Sequence, residues 1–158
     1  MKDNPFGLSF VVPTEMVDLP SAGKYYPSSH PLHEISQVEI KHMTAKEEDI
    51  LSAPISDSEG LLFDKLANSI ICSKDIKAED LIEDDKMAIL LQARITGYGP
   101  EYSTKIICSN CNSEYGATFD LTKTTFQQPT QGEYDPEANT FSFTAPVSNV
   151  KLVLKNFT

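Results

Sequence analysis

Apolar and polar positions alternate with a period of two near both ends of the chain and recur every three to four residues in its middle. The first apolar run, Leu8-Ser9-Phe10-Val11-Val12, is followed by Pro13, and residues 1–18 read as a loose arm ending in a short strand. Leu19-Pro20-Ser21-Ala22-Gly23-Lys24-Tyr25-Tyr26-Pro27 is punctuated as a turn, with two tyrosines suited to a strand edge, and Ser28 to His33 is a further loop. Between Ser36 and Met43, Val38, Ile40 and His42 alternate with Gln37, Glu39 and Lys41, which predicts a half-buried strand with His42 on its inner face. Thr44-Ala45-Lys46-Glu47 then has the spacing of a capping box. The acidic first turn suits the positive end of a helix dipole, and Pro54 limits the helix to about two turns.

Leu62, Leu66 and Ile70 recur at four-residue spacing and predict an amphipathic helix, with Cys72 late on it as a small buried apolar residue. Ala78 to Ile82 allows one helical turn. Glu83-Asp84-Asp85 opens a stronger helix on which Met87, Leu90, Leu91 and Ile95 share a stripe and Lys86 and Arg94 point outward; Gly97 or Gly99 ends it, and Pro100 prevents its resumption. From Glu101 the period returns to two. Tyr102, Thr104, Ile106 and Cys108, then Tyr115, Ala117 and Phe119, predict a hairpin with cysteines at its tip. After the polar connection Thr122 to Gly132, Phe141 and Phe143 mark one strand and Val150, Leu152 and Leu154 another, with Asp135-Pro136-Glu137 as a turn. The expected fold is α+β: N-terminal strands, a central cluster of short helices and C-terminal antiparallel β hairpins. In domain terms this is an arm, 1–18, and a single domain, 19–158, with strands over 19–43, a helical part over 44–100 and antiparallel β structure over 101–158.

A length of 158 residues, 40% of them hydrophobic and 23% charged, is enough for one globular core without disulfide staples. No apolar run is long enough to cross a bilayer, and the N-terminus lacks the apolar stretch of a signal peptide, which predicts a protein made in the cytosol. The net charge of −10 argues against nucleic-acid binding. Residues 44–100 hold 6 basic and 12 acidic side chains, which read first as a solvated helical face and second as a docking surface for a basic partner.

The concentrated chemistry lies in Cys108-Ser109-Asn110-Cys111-Asn112. Two thiols flanking two turn residues fit a zinc knuckle, and Asn112 tolerates the left-handed conformation that such a turn requires. A structural zinc site takes four ligands, however, and Cys72, His30, His33 and His42 lack paired spacing. A plain hairpin with reduced thiols is therefore the simpler reading, zinc at Cys108 and Cys111 the functional one, and redox chemistry the least suited, because strands flank the pair where a helix N-terminus is needed. His30 and His33 read as loop residues, and the acidic cluster Glu79-Asp80 with Glu83-Asp84-Asp85 as solvated helix-start charge. No nucleophile elbow, phosphate-cradling loop or zinc-protease helix is present. The chain reads as non-enzymatic.

Three blocks carry a family resemblance: Leu19-Pro20-Ser21 with Gly23; Val38-Glu39-Ile40-Lys41-His42-Met43-Thr44-Ala45-Lys46-Glu47-Glu48; and Ile95-Thr96-Gly97-Tyr98-Gly99 leading into Cys108 and the strand to Leu121. In this order they resemble the small baseplate hub subunits of T-even-type contractile-tailed bacteriophages. The resemblance implies a structural or assembly component of the tail baseplate, located in the virion and touching other hub proteins or further copies of itself. It also implies a helical continuation beyond the point where this chain stops. A tail-assembly chaperone and a zinc-knuckle binding module are the alternatives. Loops and unpaired edges carry binding residues, which makes Phe6, Leu8, Phe10 and Val12 in the arm, and Tyr25, Tyr26, His30 and His33 in the following loop, the candidate partner contacts.

Overall fold

The computed structural model describes residues 11–53, 59–126 and 132–155, and in these the chain is α+β. Strand β1 (Thr14–Asp18) pairs antiparallel with β2 (Gln37–Lys41), Val17 opposite Val38 and Thr14 opposite Lys41. The arm's strand thus begins after Pro13; Val11 and Val12 lie in no strand, and Leu8 to Phe10 fall outside the described residues. Proline has no amide to give a ladder, but its carbonyl accepts from His42 N at 2.9 Å and starts the pairing. Period-two alternation puts Val17, Val38 and Ile40 on the buried face.

Helix α1 (Ala45–Ser52) begins with the capping box, the Glu47 carboxylate accepting from the Thr44 amide at 2.9 Å and its hydroxyl at 2.6 Å. Ala53, which precedes a proline, is extended and ends the helix. Helix α2 (Glu59–Ile70) buries Leu66, Ala67 and Ile70. Ile71 bridges to Ile40, and Cys72, expected to be buried on this helix, lies beyond its end and is exposed. A 3-10 turn (Ala78–Asp80) leads to α3 (Glu83–Tyr98), which stops at Gly99, φ 87°.

The buried face of α3 differs from the expected stripe. Asp85, Ala88, Ile89 and Ala93 face the core, while Met87 is exposed and Leu90, Leu91 and Ile95 are half-buried. Small alanines let the helix approach its neighbours closely, and the bulkier side chains sit at the rim of the contact. With Phe63 and Phe126, Met87, Leu90 and Leu91 line an open groove of about 460 Å³.

Residues 19–35 form no strand edge. They make a chain of turns folded against the helices, with Leu19, Tyr26 and Leu32 in the core. Gly23, at φ 74°, is the residue on which this packing depends, since a Cβ there would overlap the backbone of Ile35 and Leu32.

The antiparallel C-terminal part forms two units. Strands β3 (Glu101–Ile107) and β4 (Glu114–Asp120) make a hairpin with Ile107 opposite Glu114. Strands β5 (Glu133–Asp135), β6 (Thr140–Thr144) and β7 (Lys151–Lys155) make a sheet in that order. Among the described residues, every member of the buried hydrophobic core lies between Val17 and Ala93. The C-terminal β units therefore hang on a core to which they add no fully buried apolar side chain.

Candidate functional site

Two buried carboxylates hold the N-terminal core in shape. Asp85, in the first turn of α3, accepts from the Ser21 amide at 2.9 Å, the Ser21 hydroxyl at 2.6 Å and the Tyr26 hydroxyl at 2.8 Å. Tyr26 Oη in turn accepts from Ile82 N, the N-cap residue of α3, at 3.2 Å. In an ordinary capping box the carboxylate three residues on takes that amide directly. Here Tyr26 relays the bond, so one hydroxyl caps the helix and ties the 19–35 loop to it. Burial, followed by the Asp85 charge, raises the Tyr26 phenol far above its usual pKa and keeps it a donor.

Asp85 is therefore a fully buried anchor and not the solvated helix-start charge that its acidic neighbours suggested. Tyr26, a candidate partner contact by sequence, is likewise buried, because its hydroxyl is needed inside. His30 stacks on the Tyr26 ring with centroids 4.4 Å apart, and burial lowers its pKa. His33 Nδ1 lies 2.8 Å from the Tyr26 carbonyl oxygen. Tyr25 is half-buried, its ring set edge-on to that of Tyr134, whose hydroxyl donates to the Tyr25 carbonyl at 2.7 Å. The loop thus joins helix and C-terminal sheet, while Phe6, Leu8 and Phe10 fall outside the described residues and Val12 is half-buried.

Glu47 does more than close a capping box. Its carboxylate also accepts from Lys41 Nζ at 3.0 Å and Ser69 Oγ at 2.5 Å, joining β2, α1 and α2. Burial opposes its charge, but the bonds from Ser69, Thr44 and Lys41 prevail and hold its pKa at about 2. His42, expected on the inner face, instead follows the end of β2 and is partly exposed, with Nε2 3.8 Å from Glu15 Oε1.

At the hairpin tip, Asn112 N donates to the Cys108 carbonyl and Cys108 N to the Ser113 carbonyl, both at 2.9 Å. Asn112 has φ 54°, the left-handed conformation its sequence position called for. This turn brings the Cys108 and Cys111 side chains within interaction distance, and bonds from Ser113 lower the Cys111 pKa. Among the described residues no group of three or more cysteine, histidine or acidic side chains is placed to hold a metal ion. All three cysteines and all three histidines are described, so the tip offers two thiols and no further sulfur or imidazole from its own chain.

The C-terminal units present apolar faces. On the hairpin, Tyr102 stands opposite Phe119 and Ile106 opposite Tyr115, all on one face by the alternation of the strands. Tyr102 is 46% exposed, Phe119 48% and Tyr115 53%. In the sheet, Tyr134 pairs with Phe141, Phe141 with Leu154 and Phe143 with Leu152, again on one face, and every residue of the edge strand β7 is exposed. Sequence periodicity identified β3, β4, β6 and β7 but not the three-residue β5, and it could not tell which apolar sides lie off the core.

No helix among the described residues is long and apolar enough to cross a membrane. No curated protein and no solved structure matches the chain. A family model described as "T4 bacteriophage base plate protein" matches residues 12–157, which takes in both the N-terminal core and the two C-terminal β units. By that match the chain belongs to the T4 bacteriophage base plate protein family, whose members are components of the phage tail baseplate.

Proposed function

We propose that the chain is a structural or assembly component of the baseplate hub, made in the host cytoplasm, that works through contacts with other hub proteins and not through catalysis. The observation that carries this reading is the exposed apolar face of the hairpin, Tyr102, Tyr115 and Phe119, together with the exposed Leu152 and Leu154 of the C-terminal sheet. An isolated two-stranded hairpin is marginal in water, and contiguous exposed apolar surface of this kind is characteristic of interaction sites. Among the described residues no strand pairs with the outer edge of β7, which offers a further partner strand its backbone groups. The buried carboxylates are consumed by structural hydrogen bonds, which leaves them to rigidity and not to proton transfer. The arm residues Phe6, Leu8, Phe10 and Val12 stay candidates for contact on sequence grounds, as do Tyr25, His30 and His33 at the loop.

Co-purification with the other hub proteins tests the reading. The wild-type chain is expected to retain at least one of them, and the double variant Tyr102→Asp, Phe119→Asp to lose that association by about tenfold or more, since each buried charge in an apolar contact costs more than 1 kcal/mol. Both substitutions lie outside the core, so the circular dichroism spectrum should be unchanged. A wild-type chain that binds no hub protein in any combination would remove the proposal; a double variant that binds as well as wild type would remove the hairpin face from it.

A further inference from the structure

We infer that the hairpin tip is half of a tetrahedral thiolate metal site, and that the same tip of a second copy of this chain completes it, two chains sharing one zinc ion. The inference does not depend on which hub protein the chain touches.

The turn from Cys108 to Ser113 is built as a metal knuckle. Its backbone bonds are closed, Asn112 takes the left-handed step, and both cysteines stand at the end of a two-stranded hairpin, Cys111 with its sulfur 2.6 Å from Ser113 Oγ. Zinc in a structural site requires four ligands at about 2.3 Å for sulfur. The tip supplies two, and no third side chain of the described residues is placed to join them. Cys72 sits beyond the end of α2, beside β2, with its amide on the Glu39 carbonyl at 3.0 Å, and is not grouped with the pair. No described residue of the same chain supplies the missing ligands, and we assign them to a second molecule.

The charge distribution favours a second copy. A chain of net charge −10 repels itself over most of its surface, yet no residue from Ile106 to Ser113 is charged. The nearest charges on the strands, Lys105 and Glu114, neutralise each other across the hairpin at 2.6 Å. Two tips can therefore approach without like-charge repulsion, with Ile107, 64% exposed, adding an apolar contact beside each cysteine pair. Two equal half-sites about a two-fold axis give a closed dimer and a four-sulfur shell with one kind of building block. As the metal binds, each thiol releases its proton to solvent and coordinates as thiolate.

The full chain, prepared with reductant and without chelator, should contain one zinc ion per two chains by elemental analysis and sediment as a dimer. Chelation should return it to monomer. Cys108→Ser and Cys111→Ser should each be monomeric and zinc-free with an unchanged circular dichroism spectrum, while Cys72→Ser should bind zinc and dimerise as wild type does. Cobalt(II) in place of zinc should give the visible absorption of a tetrahedral thiolate site in the wild type and lose it in Cys111→Ser. A protein that stays monomeric and metal-free with zinc added, a monomer carrying its own zinc, or a dimer indifferent to chelator and to Cys108→Ser would each overturn the inference.

Discussion

Replacing Asp85 by alanine is expected to cost about 4 kcal/mol of folding stability. The substitution strands three donors in a region from which water is excluded: the Ser21 amide, the Ser21 hydroxyl and the Tyr26 hydroxyl. Bonds to a charged acceptor are worth about 1.5–3 kcal/mol each, and repacking recovers only part of the sum. Tyr26→Phe, which removes the cap on Ile82 N and one donor to Asp85 but keeps the ring and its stacking on His30, should cost about 2 kcal/mol. Denaturant unfolding of the two variants gives both numbers. If Asp85→Ala loses less than about 1 kcal/mol, the carboxylate is not the anchor described here. Because the Tyr26 relay joins loop and helix, the two effects should also fall short of adding in the double variant.

The second large effect is acid-sensitive. Glu47 has its pKa lowered from 4.5 to about 2 in the folded chain, so the unfolded chain binds the proton more readily and the folded state gains from the charge. The gain is fully present above the unfolded pKa and is lost as pH falls from there through about 2. A shift of this size corresponds to at most about 3 kcal/mol at neutral pH. Glu47→Gln keeps the shape but not the charge, and should be less stable than wild type by about 2–3 kcal/mol at neutral pH and by only about 1 kcal/mol near pH 3. Urea unfolding at the two pH values checks the sign as well as the size. A gap that widens on acidification would contradict the hydrogen-bond arrangement of Ser69, Thr44 and Lys41 around this carboxylate.

Much of the architecture was legible because it is written in short-range patterns. The alternation over Val38 and Ile40, the box from Thr44 to Glu47, the stop at Gly99 and the left-handed Asn112 each depend on a few adjacent residues, and each is found as expected. The buried knot was not legible, since Ser21 and Tyr26 reach Asp85 across 64 and 59 residues, and nothing local separates Asp85 from the solvated Glu83 and Asp84. The one available signal was the turn-rich block Leu19 to Tyr26, whose serine and tyrosine needed partners once it packed on a helix. Periodicity also misjudged which face of α3 is buried: it weighted the large side chains Met87, Leu90, Leu91 and Ile95, whereas close approach selects Ala88 and Ala93. Cys72 failed for a related reason, as α2 ends at Ile70 and Ile71 turns away to bridge with Ile40.

The same limit governs the candidate contact surface. Alternation in Tyr102, Phe119, Phe141 and Leu154 predicts an apolar side to each strand, and in a free-standing domain that side would face the core. Here it does not, and the N-terminal unit from Val17 to Ala93 closes its own core without it. Under the proposed function, the exposed apolar side chains of the two β units are the surface that another chain would cover.

A cryo-microscopy map of the intact baseplate tests this account most directly. It should show the chain in the hub, with the Tyr102–Phe119 face of the hairpin or the Phe141–Leu154 face of the C-terminal sheet packed against neighbouring hub chains. A baseplate that lacks the chain, or holds it with both faces open to solvent, would contradict the account.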